Sequence, residues 1–189
     1  LSWMKGERHL DLEGVYNGIT HLEPSERMKP QIINYQFAAG SNEVLSVARI
    51  KPRLIDVMAN GISSLMLSET ETCIGLSGVS GTKGTSITMS DSLGTLNNDF
   101  PYISLLVLKD SNLAIAPSVA TFIEHIVLIN SQIEAEGRPV TVGNLSHYDS
   151  AYSGFDIYQE KALDHVEAEA YNSNPFNQSR VLFDQILNR

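Results

Sequence analysis

The amino-acid sequence predicts an α+β fold, with a mostly antiparallel sheet, a packed central helix and two C-terminal helices. Residues 62–93 contain short apolar or alternating segments separated by Ser, Thr and Gly, which is typical of antiparallel strands. Residues 117–136 instead carry a broad apolar face at helical spacing. Because strands and helices do not alternate regularly along the chain, the pattern disfavours a doubly wound parallel sheet.

The size and composition indicate one folded domain. The 189 residues are 42% hydrophobic and 19% charged, which is enough apolar surface to form a core without disulfides. The net charge is −9, from 13 Lys and Arg against 22 Asp and Glu. Nucleic acids and anionic membranes attract cationic proteins, so this charge disfavours both as partners. We therefore expect a soluble, cytoplasmic protein without a nucleic-acid or membrane partner.

The N-terminus is expected to be an arm. Residues 1–30 are polar and rich in turn formers, with one short strand near Leu10–Tyr16. Residues 31–189 then form the single α+β domain, opening with a strand at Gln31–Phe37. The chain begins at Leu1 without an initiator Met and shows no signal segment, so we expect a processed product or a fragment of a longer protein.

A first helix is predicted between Val44 and Met58. Ser41 or Asn42 can cap its first turn, and Asn60-Gly61 can end it. Pro52 lies inside the apolar pattern and is expected to kink the helix near Lys51, because proline removes a backbone donor.

The sheet is predicted from the middle of the chain. Three short strands form an antiparallel meander, at Ser64–Ser68, Thr72–Leu76 and Gly84–Met89. The most apolar segment, Tyr102–Leu108, is assigned to a central strand, and Leu113–Ala116 is expected to pair back on it as a hairpin.

The last third of the chain is expected to be mainly helical. The central helix runs from Pro117 to Gly137, and a short strand follows at Arg138–Val142. Residues Gly143–Phe155 form a loop, and the two C-terminal helices cover Asp156–Tyr171 and Phe176–Leu187. The sequence shows no evident internal repeat, and none is predicted.

The glycine-rich segment Gly75–Ser86 is the first candidate for chemistry. Its glycines, Lys83 and hydroxyl groups resemble parts of a phosphate-binding loop, so Ser80, Lys83 and Thr85 are candidate ligand-binding residues. However, Lys83 precedes Gly84 instead of following a glycine, and a strand is expected next. Ser80 also lacks the spacing and the following helix of a nucleophile elbow. We therefore favour strands and turns here.

The second candidate is the loop Ser146–Ser150. His147 can act as a general base oriented by Asp149, which makes the two residues candidate catalytic groups. Tyr148 and Tyr152 are candidate ligand-binding residues, although aromatic side chains in this region more often cover a sheet. Asp and Ser also serve as ordinary turn formers, which is the competing interpretation of the loop.

No metal site and no cofactor are predicted. No two of the five histidines have the spacing of a helical zinc site, and the adjacent Glu124 and His125 point about 100° apart on a helix. His165 and Glu169 share a helical face, which indicates ordinary surface electrostatics. The lone Cys73 excludes an internal disulfide and is expected to be buried in a strand.

These observations leave three functions open. The first is a non-catalytic interaction or structural module, as a subunit of a larger assembly or a domain of a longer protein, with a protein partner or self-association. The second is a small-molecule hydrolase or transferase that uses His147 and Asp149, with Lys83 as a further candidate group, and it requires Gly75–Ser86 to reach the same cleft. The third is a small-ligand binding domain with an apolar pocket beside the central helix.

Overall fold

A computed structural model describes residues 9–12, 18–22, 32–37, 43–48, 54–59, 62–77, 85–98 and 101–170. These residues form sixteen β-strands and one short α-helix. The odd-numbered strands are β1 (His9–Leu12), β3 (Ile32–Phe37), β5 (Leu54–Ala59), β7 (Glu71–Ser77), β9 (Leu93–Asn98), β11 (Asn112–Ile115), β13 (Gln132–Ala135) and β15 (Ala151–Ser153). The even-numbered strands are β2 (Gly18–Leu22), β4 (Glu43–Ala48), β6 (Ile62–Ser68), β8 (Thr85–Ser90), β10 (Tyr102–Lys109), β12 (Thr121–Ile129), β14 (Val140–Tyr148) and β16 (Phe155–Ala162). The helix α1 covers His165–Glu169.

The strands form two parallel sheets of eight strands each. The first sheet contains the odd-numbered strands in chain order, and the second contains the even-numbered strands. Consecutive strands thus lie in different sheets, and each strand pairs in parallel with the strand two positions along the chain. For example, Leu108 of β10 is in register with Leu128 of β12, twenty residues later. A chain that winds in this way, one coil stacked on the next, is a β-solenoid.

The predicted α+β fold with a mostly antiparallel sheet is therefore wrong. The segment predicted as the central helix forms strands β12 and β13, and the helix predicted between Val44 and Met58 forms β4 and β5. In the segment Asp156–Tyr171, residues 156–162 belong to β16, and α1 is the helical part among the described residues. The helix predicted at Phe176–Leu187 lies outside the described residues.

The spacing of the inward-facing residues explains why strands resembled helices. In β12 the core positions are Ile123, Ile126 and Leu128, because the alternation is interrupted once within the strand. The step from Ile123 to Ile126, with the apolar Val127 directly after it, matches the i, i+3, i+4 spacing of a helical face. Val127 and Ile129 of the same strand are buried on the other side, which widened the apparent apolar face.

The pairing of the predicted strands was also wrong, although their positions were largely correct. Tyr102–Leu108 lies within β10, as predicted, and the three segments assigned to the meander fall on β6, β7 and β8. However, β11 does not fold back on β10 as a hairpin, because it pairs in parallel with β9 and β13 in the other sheet. The segment predicted as the loop Gly143–Phe155 instead belongs largely to β14 and β15.

The core lies between the two sheets and is built from rows of stacked side chains. One row contains Leu65, Ile87, Leu106, Ile126 and Leu145, each at the same register on successive strands and each fully buried. Because each strand lies about 4.8 Å from the next, every member of such a row contacts the layers before and after it. The sequence of one coil is therefore packed mainly against its two neighbours in the stack.

A second apolar cluster covers the outer side of the even-numbered sheet. Leu105, Val107, Val127 and Ile129 face away from the core and pack with Leu163 and Ala168 at the C-terminal side of the chain. Asp164 caps α1 by accepting a hydrogen bond from the backbone N–H of Glu167 at 2.8 Å. The cap fixes the short helix, so Ala168 is held against the sheet.

A repeated turn joins each even strand to the next odd strand. Its first residue has a positive φ of 48–50° in five successive coils, and the residues are Glu69, Asp91, Asp110, Asn130 and Asp149. The next residue is a serine or threonine, and these are Thr70, Ser92, Ser111, Ser131 and Ser150. The turns recur every 19–22 residues, so the chain does contain an internal repeat, contrary to the prediction from sequence.

The serines form a buried ladder along the stack. The hydroxyl of Ser111 accepts a hydrogen bond from the N–H of Ser92 at 3.1 Å and donates one to the carbonyl of Lys109 at 2.8 Å. The N–H of Ser111 in turn donates to the hydroxyl of Ser131. Each serine thus satisfies a main-chain donor in the preceding coil, which would otherwise be left unpaired in the interior.

We expect Ser111→Ala to lower the free energy of unfolding by about 1–3 kcal/mol, because it leaves the buried N–H of Ser92 without its acceptor. Chemical denaturation measured by circular dichroism provides the value. The matched control is Ser153→Ala on an exposed position of β15, for which we expect a change within about 0.5 kcal/mol. Equal effects for the two variants would show that the ladder contributes nothing specific.

The predicted division of the chain into an arm and a domain is not decided by these features. Strands β1 and β2 lie within residues 1–30 and pair with β3 and β4. The boundary at residue 30 stays a prediction.

Candidate functional site

His147, the predicted general base, lies near the end of β14. Its Nε2 atom lies 3.2 Å from a carboxylate oxygen of Glu160 on β16, and its ring centre lies 5.4 Å from that of Tyr152. Asp149, the predicted orienting residue, occupies the exposed repeated turn with a φ of 49°. The acid that faces His147 is therefore Glu160, which sequence reasoning did not select.

The predicted ligand-binding tyrosines lie on different sides of the coil. Tyr148 follows His147 directly, and successive residues of a strand point to opposite faces. The hydroxyl of Tyr148 lies 3.2 Å from Nδ1 of His165 in α1, whereas Tyr152 packs against the main core. His147 and Tyr152 thus share a neighbourhood that excludes Tyr148.

The glycine-rich segment lies apart from this group. Thr85 begins β8, while Ser80 and Lys83 lie outside the described residues. Strands β10 and β12 separate β8 from β14, which corresponds to roughly 14 Å between the two strands. The described part of the segment therefore does not reach the His147 group. The catalytic and ligand-binding roles of all these residues stay predictions.

A polar group that sequence analysis did not assemble lies on β10, β12 and β14. The hydroxyl of Tyr102 donates a hydrogen bond to a carboxylate oxygen of Glu124. Burial, followed by this hydrogen bond and by the charge of Glu124, raises the pKa of Tyr102 to about 12. Beside Glu124 the neighbouring strand carries Gly143, where an added Cβ would lie 2.8 Å from the carbonyl oxygen of Glu124. A side chain at this position would push the strands apart.

His125 belongs to the same polar group and is only 1% exposed. Burial lowers its pKa, and the adjacent charge of Glu124 opposes this effect only in part. The amide nitrogen of Asn144 lies 3.4 Å from Nε2 of His125, so the amide can donate to the neutral ring but not to a protonated one. The adjacent Glu124-His125 pair was visible in the sequence, but the assumed helix gave it the wrong neighbours. The inaccessible ring is suited to supporting the fold.

We expect the stability of the protein to fall as the pH drops below about 6.5, the ordinary value for histidine. The unfolded chain then binds a proton that the folded chain resists, so the loss continues until the pH is below the folded-state pKa of His125. A single group contributes at most about 1.4 kcal/mol per pH unit. Denaturation series between pH 5 and 8 should show a shallower slope for His125→Gln than for the wild type. His165→Gln, at an exposed site, should keep the wild-type slope; a shared change would contradict the assignment to His125.

Two shallow depressions lie on the outer side of the odd-numbered sheet and at the adjoining turns. The first, of about 260 Å³, is lined by residues that include Leu93, Asn112 and Gln132. The second, of about 330 Å³, also contains Asn112 and Gln132, together with Asp149 of the repeated turn.

Cys73 on the odd-numbered sheet is exposed, so the prediction that it is buried was wrong. The central helix beside which an apolar pocket was predicted is not formed, because its segment belongs to β12 and β13.

Among the described residues, no three side chains of His, Cys, Asp or Glu converge to hold a metal ion. The helical part of the described chain includes no segment with the length and hydrophobicity needed to cross a membrane.

Comparison of the chain with protein-family models, with curated proteins and with solved structures gives no match. The fold nevertheless defines a class: the described coils are those of a parallel β-solenoid.

Proposed function

We propose that this chain is a non-catalytic structural module, either a subunit of a larger assembly or a domain of a longer protein, that acts through protein contacts on its stacked surface. One observation carries the proposal: the strongest candidate base, His147, is paired with Glu160, while Asp149 occupies a turn whose position is set by coil stacking. The two residues selected as a catalytic pair thus occupy different places: His147 faces Glu160, and Asp149 forms the repeated turn.

The stack itself supports this function. The described strands of neighbouring coils bond through two parallel ladders, and the turns from Thr70 to Ser150 also bond through the serine ladder, so the outer surface is held rigid over many coils. A rigid surface can bind a partner with little loss of conformational entropy on association. Extended surfaces of this kind are what repeat proteins use for recognition.

The negative charge along the repeated turns favours a protein partner with basic side chains. The repeated turn places an exposed row of residues along one corner of the stack, and four of its five members are acidic: Glu69, Asp91, Asp110 and Asp149. Complementary charge across an interface favours specific encounter more than raw affinity. A protein face rich in Lys and Arg therefore fits this corner better than an acidic one does.

Site-specific photo-crosslinking in the producing cells tests the proposal. A photoreactive amino acid is placed in turn at Asp110 in the acidic row, at Glu134 on the odd-numbered sheet and at Tyr158 on β16, all exposed. We expect a discrete protein adduct from at least one face. The control carries the photoreactive group at Val166 of α1, which is also exposed but lies on another element. Absence of an adduct from all three test positions would contradict the proposal.

The enzymatic alternative is tested separately. We expect no turnover of ester, amide or phosphoester substrates that depends on His147 or Asp149. Turnover that is lost in His147→Ala but kept in His165→Ala would show that the His147 group is catalytic and that the structural proposal is wrong. His165 is a suitable control because it is likewise a histidine paired with a glutamate, Glu169, at 3.5 Å, on an element apart from the His147 group.

A further inference from the structure

We infer that two copies of the chain associate through β16, which pairs with β16 of the second copy in antiparallel orientation about a two-fold axis. The inference rests on the proposed function, because it names self-association as the contact that the stack makes. Strand β16 ends the even-numbered sheet within the described part of the chain, and its pairing partner there is β14 on one side. The opposite edge of β16 offers main-chain donors and acceptors to another strand.

In the part of the chain that the structure describes, no strand covers this edge of β16, and the edge is partly apolar. Tyr158 is 72% exposed, and Gln159, Glu160 and Ala162 are exposed as well. Phe155 and Ile157 pack against the core from one side but are only half-buried. An uncovered strand with apolar residues at its inner face is a site where a further strand can add.

The positions of the inward-facing residues along β16 are symmetric about the centre of the strand. Four residues of β16 are in register with residues of β14 that point toward the core. They are Phe155, Ile157, Glu160 and Ala162, and their partners are Val140, Val142, Leu145 and His147. These four positions are symmetric about the point between Tyr158 and Gln159. An antiparallel copy centred on that point therefore pairs inward residues with inward residues over the whole strand. A two-fold interface requires this symmetry, because each copy presents the same strand to the other. Pairing with an unrelated strand does not require it.

The charges on the outer side of β16 are complementary in the same arrangement. Asp156 and Lys161 lie opposite Thr141 and Ser146 of β14, on the side away from the core. They are also symmetric about the point between Tyr158 and Gln159. Antiparallel pairing thus places Asp156 of each copy opposite Lys161 of the other, twice per dimer. Opposite charges directly across a strand pair stabilise it, and like charges destabilise it.

Charge reversal tests the register. The dissociation constant of the wild-type dimer is measured by sedimentation over a concentration series in 0.15 M salt. We expect Asp156→Lys and Lys161→Asp each to raise this constant at least about tenfold, because each variant places like charges opposite each other twice. An equimolar mixture of the two variants should form a heterodimer, since both of its cross-strand pairs are again opposite in charge. The double variant with both changes should dimerise like the wild type.

Two matched variants control for other effects. Lys161 also pairs with Glu167 at 3.2 Å in the same copy, so Glu167→Gln removes that contact and should leave the dimer intact. Glu134→Lys on the odd-numbered sheet makes the same charge change as Asp156→Lys away from the edge, and it should also leave the dimer intact.

The inference is overturned if the wild type is a monomer at all concentrations, if the charge reversals leave the dimer unchanged, or if Glu134→Lys weakens it equally. These results leave the proposed function standing as long as the photo-crosslinks to another protein are observed. Conversely, His147-dependent turnover would remove the proposed function without changing the sedimentation result. The two failures are therefore distinguishable.

Discussion

Replacing Leu106 with Ala should lower the free energy of unfolding by about 2–5 kcal/mol, the range observed when a large aliphatic side chain is removed from a packed interior. Leu106 is 0% exposed and lies in the middle of a core row, between Ile87 and Ile126 on the neighbouring strands. A cavity at this position removes contacts with the layers on both sides. Guanidinium denaturation, followed by far-ultraviolet circular dichroism, provides the measurement.

The control for this variant is Leu93→Ala. Leu93 is the same residue type, but it lies on the outer side of the odd-numbered sheet and is 47% exposed. We expect a change within about 0.5 kcal/mol for this surface position. If both variants lost similar stability, the assignment of Leu106 to an inward-facing row would be incorrect.

Replacing Gly154 with Ala is expected to be comparably damaging. Gly154 joins β15 to β16 with a φ of +85°, a conformation that costs a residue with a Cβ about 1–2 kcal/mol. The added methyl group would also overlap the carbonyl oxygen of Ala135 in the preceding coil. Overpacking against backbone adds about 1–3 kcal/mol, so the total loss should be about 2–5 kcal/mol.

Gly137→Ala separates the two contributions to this loss. Gly137 has a similar φ of +89°, but nothing lies within 4 Å of an added Cβ. The variant should therefore lose only the conformational part, about 1–2 kcal/mol. Thermal or chemical denaturation of both variants provides the comparison. A loss for Gly137→Ala as large as that for Gly154→Ala would contradict the close approach of Gly154 to Ala135.

The positions of several strands could be predicted from sequence, but their pairing could not. Tyr102–Leu108 and Gln31–Phe37 were recognisable because short apolar, β-branched segments favour strands. Pairing depends on which residue returns to the same register one coil later, and local sequence does not encode that distance. A two-residue turn such as Asp110-Ser111 is compatible with both a hairpin and a solenoid corner.

The repeat was nevertheless present as a signal in the sequence. Four turns carry Asp or Asn followed by Ser, and in three of them a large side chain stands two residues after the Ser, at Leu113, Ile133 and Tyr152. The fourth turn, Asp91-Ser92, has Gly94 there, which weakens the pattern. Comparing the chain with itself at a shift of 19–20 residues would have aligned these turns and overturned the helix predicted after Pro117.

The candidate site was predictable only in part. The sequence drew attention to His147, but the acid that faces it, Glu160, lies thirteen residues later on the next strand of the sheet. The Tyr102, Glu124 and Asn144 group is likewise assembled by parallel strands about twenty residues apart. Each contact depends on the solenoid register, so the wrong fold class hid all of them.

Disulfide trapping tests the parallel register most directly. In a Cys73→Ser background, Thr95→Cys with Ala114→Cys places two cysteines at paired positions of β9 and β11 on the exposed side of the sheet. Neighbouring strands lie about 4.8 Å apart, within the range of Cα separations that a disulfide spans. The antiparallel hairpin would instead bring position 114 opposite position 107. Rapid, complete oxidation of the 95–114 pair, with none for Val107→Cys with Ala114→Cys, is the predicted result. Oxidation of the 107–114 pair alone would contradict the solenoid.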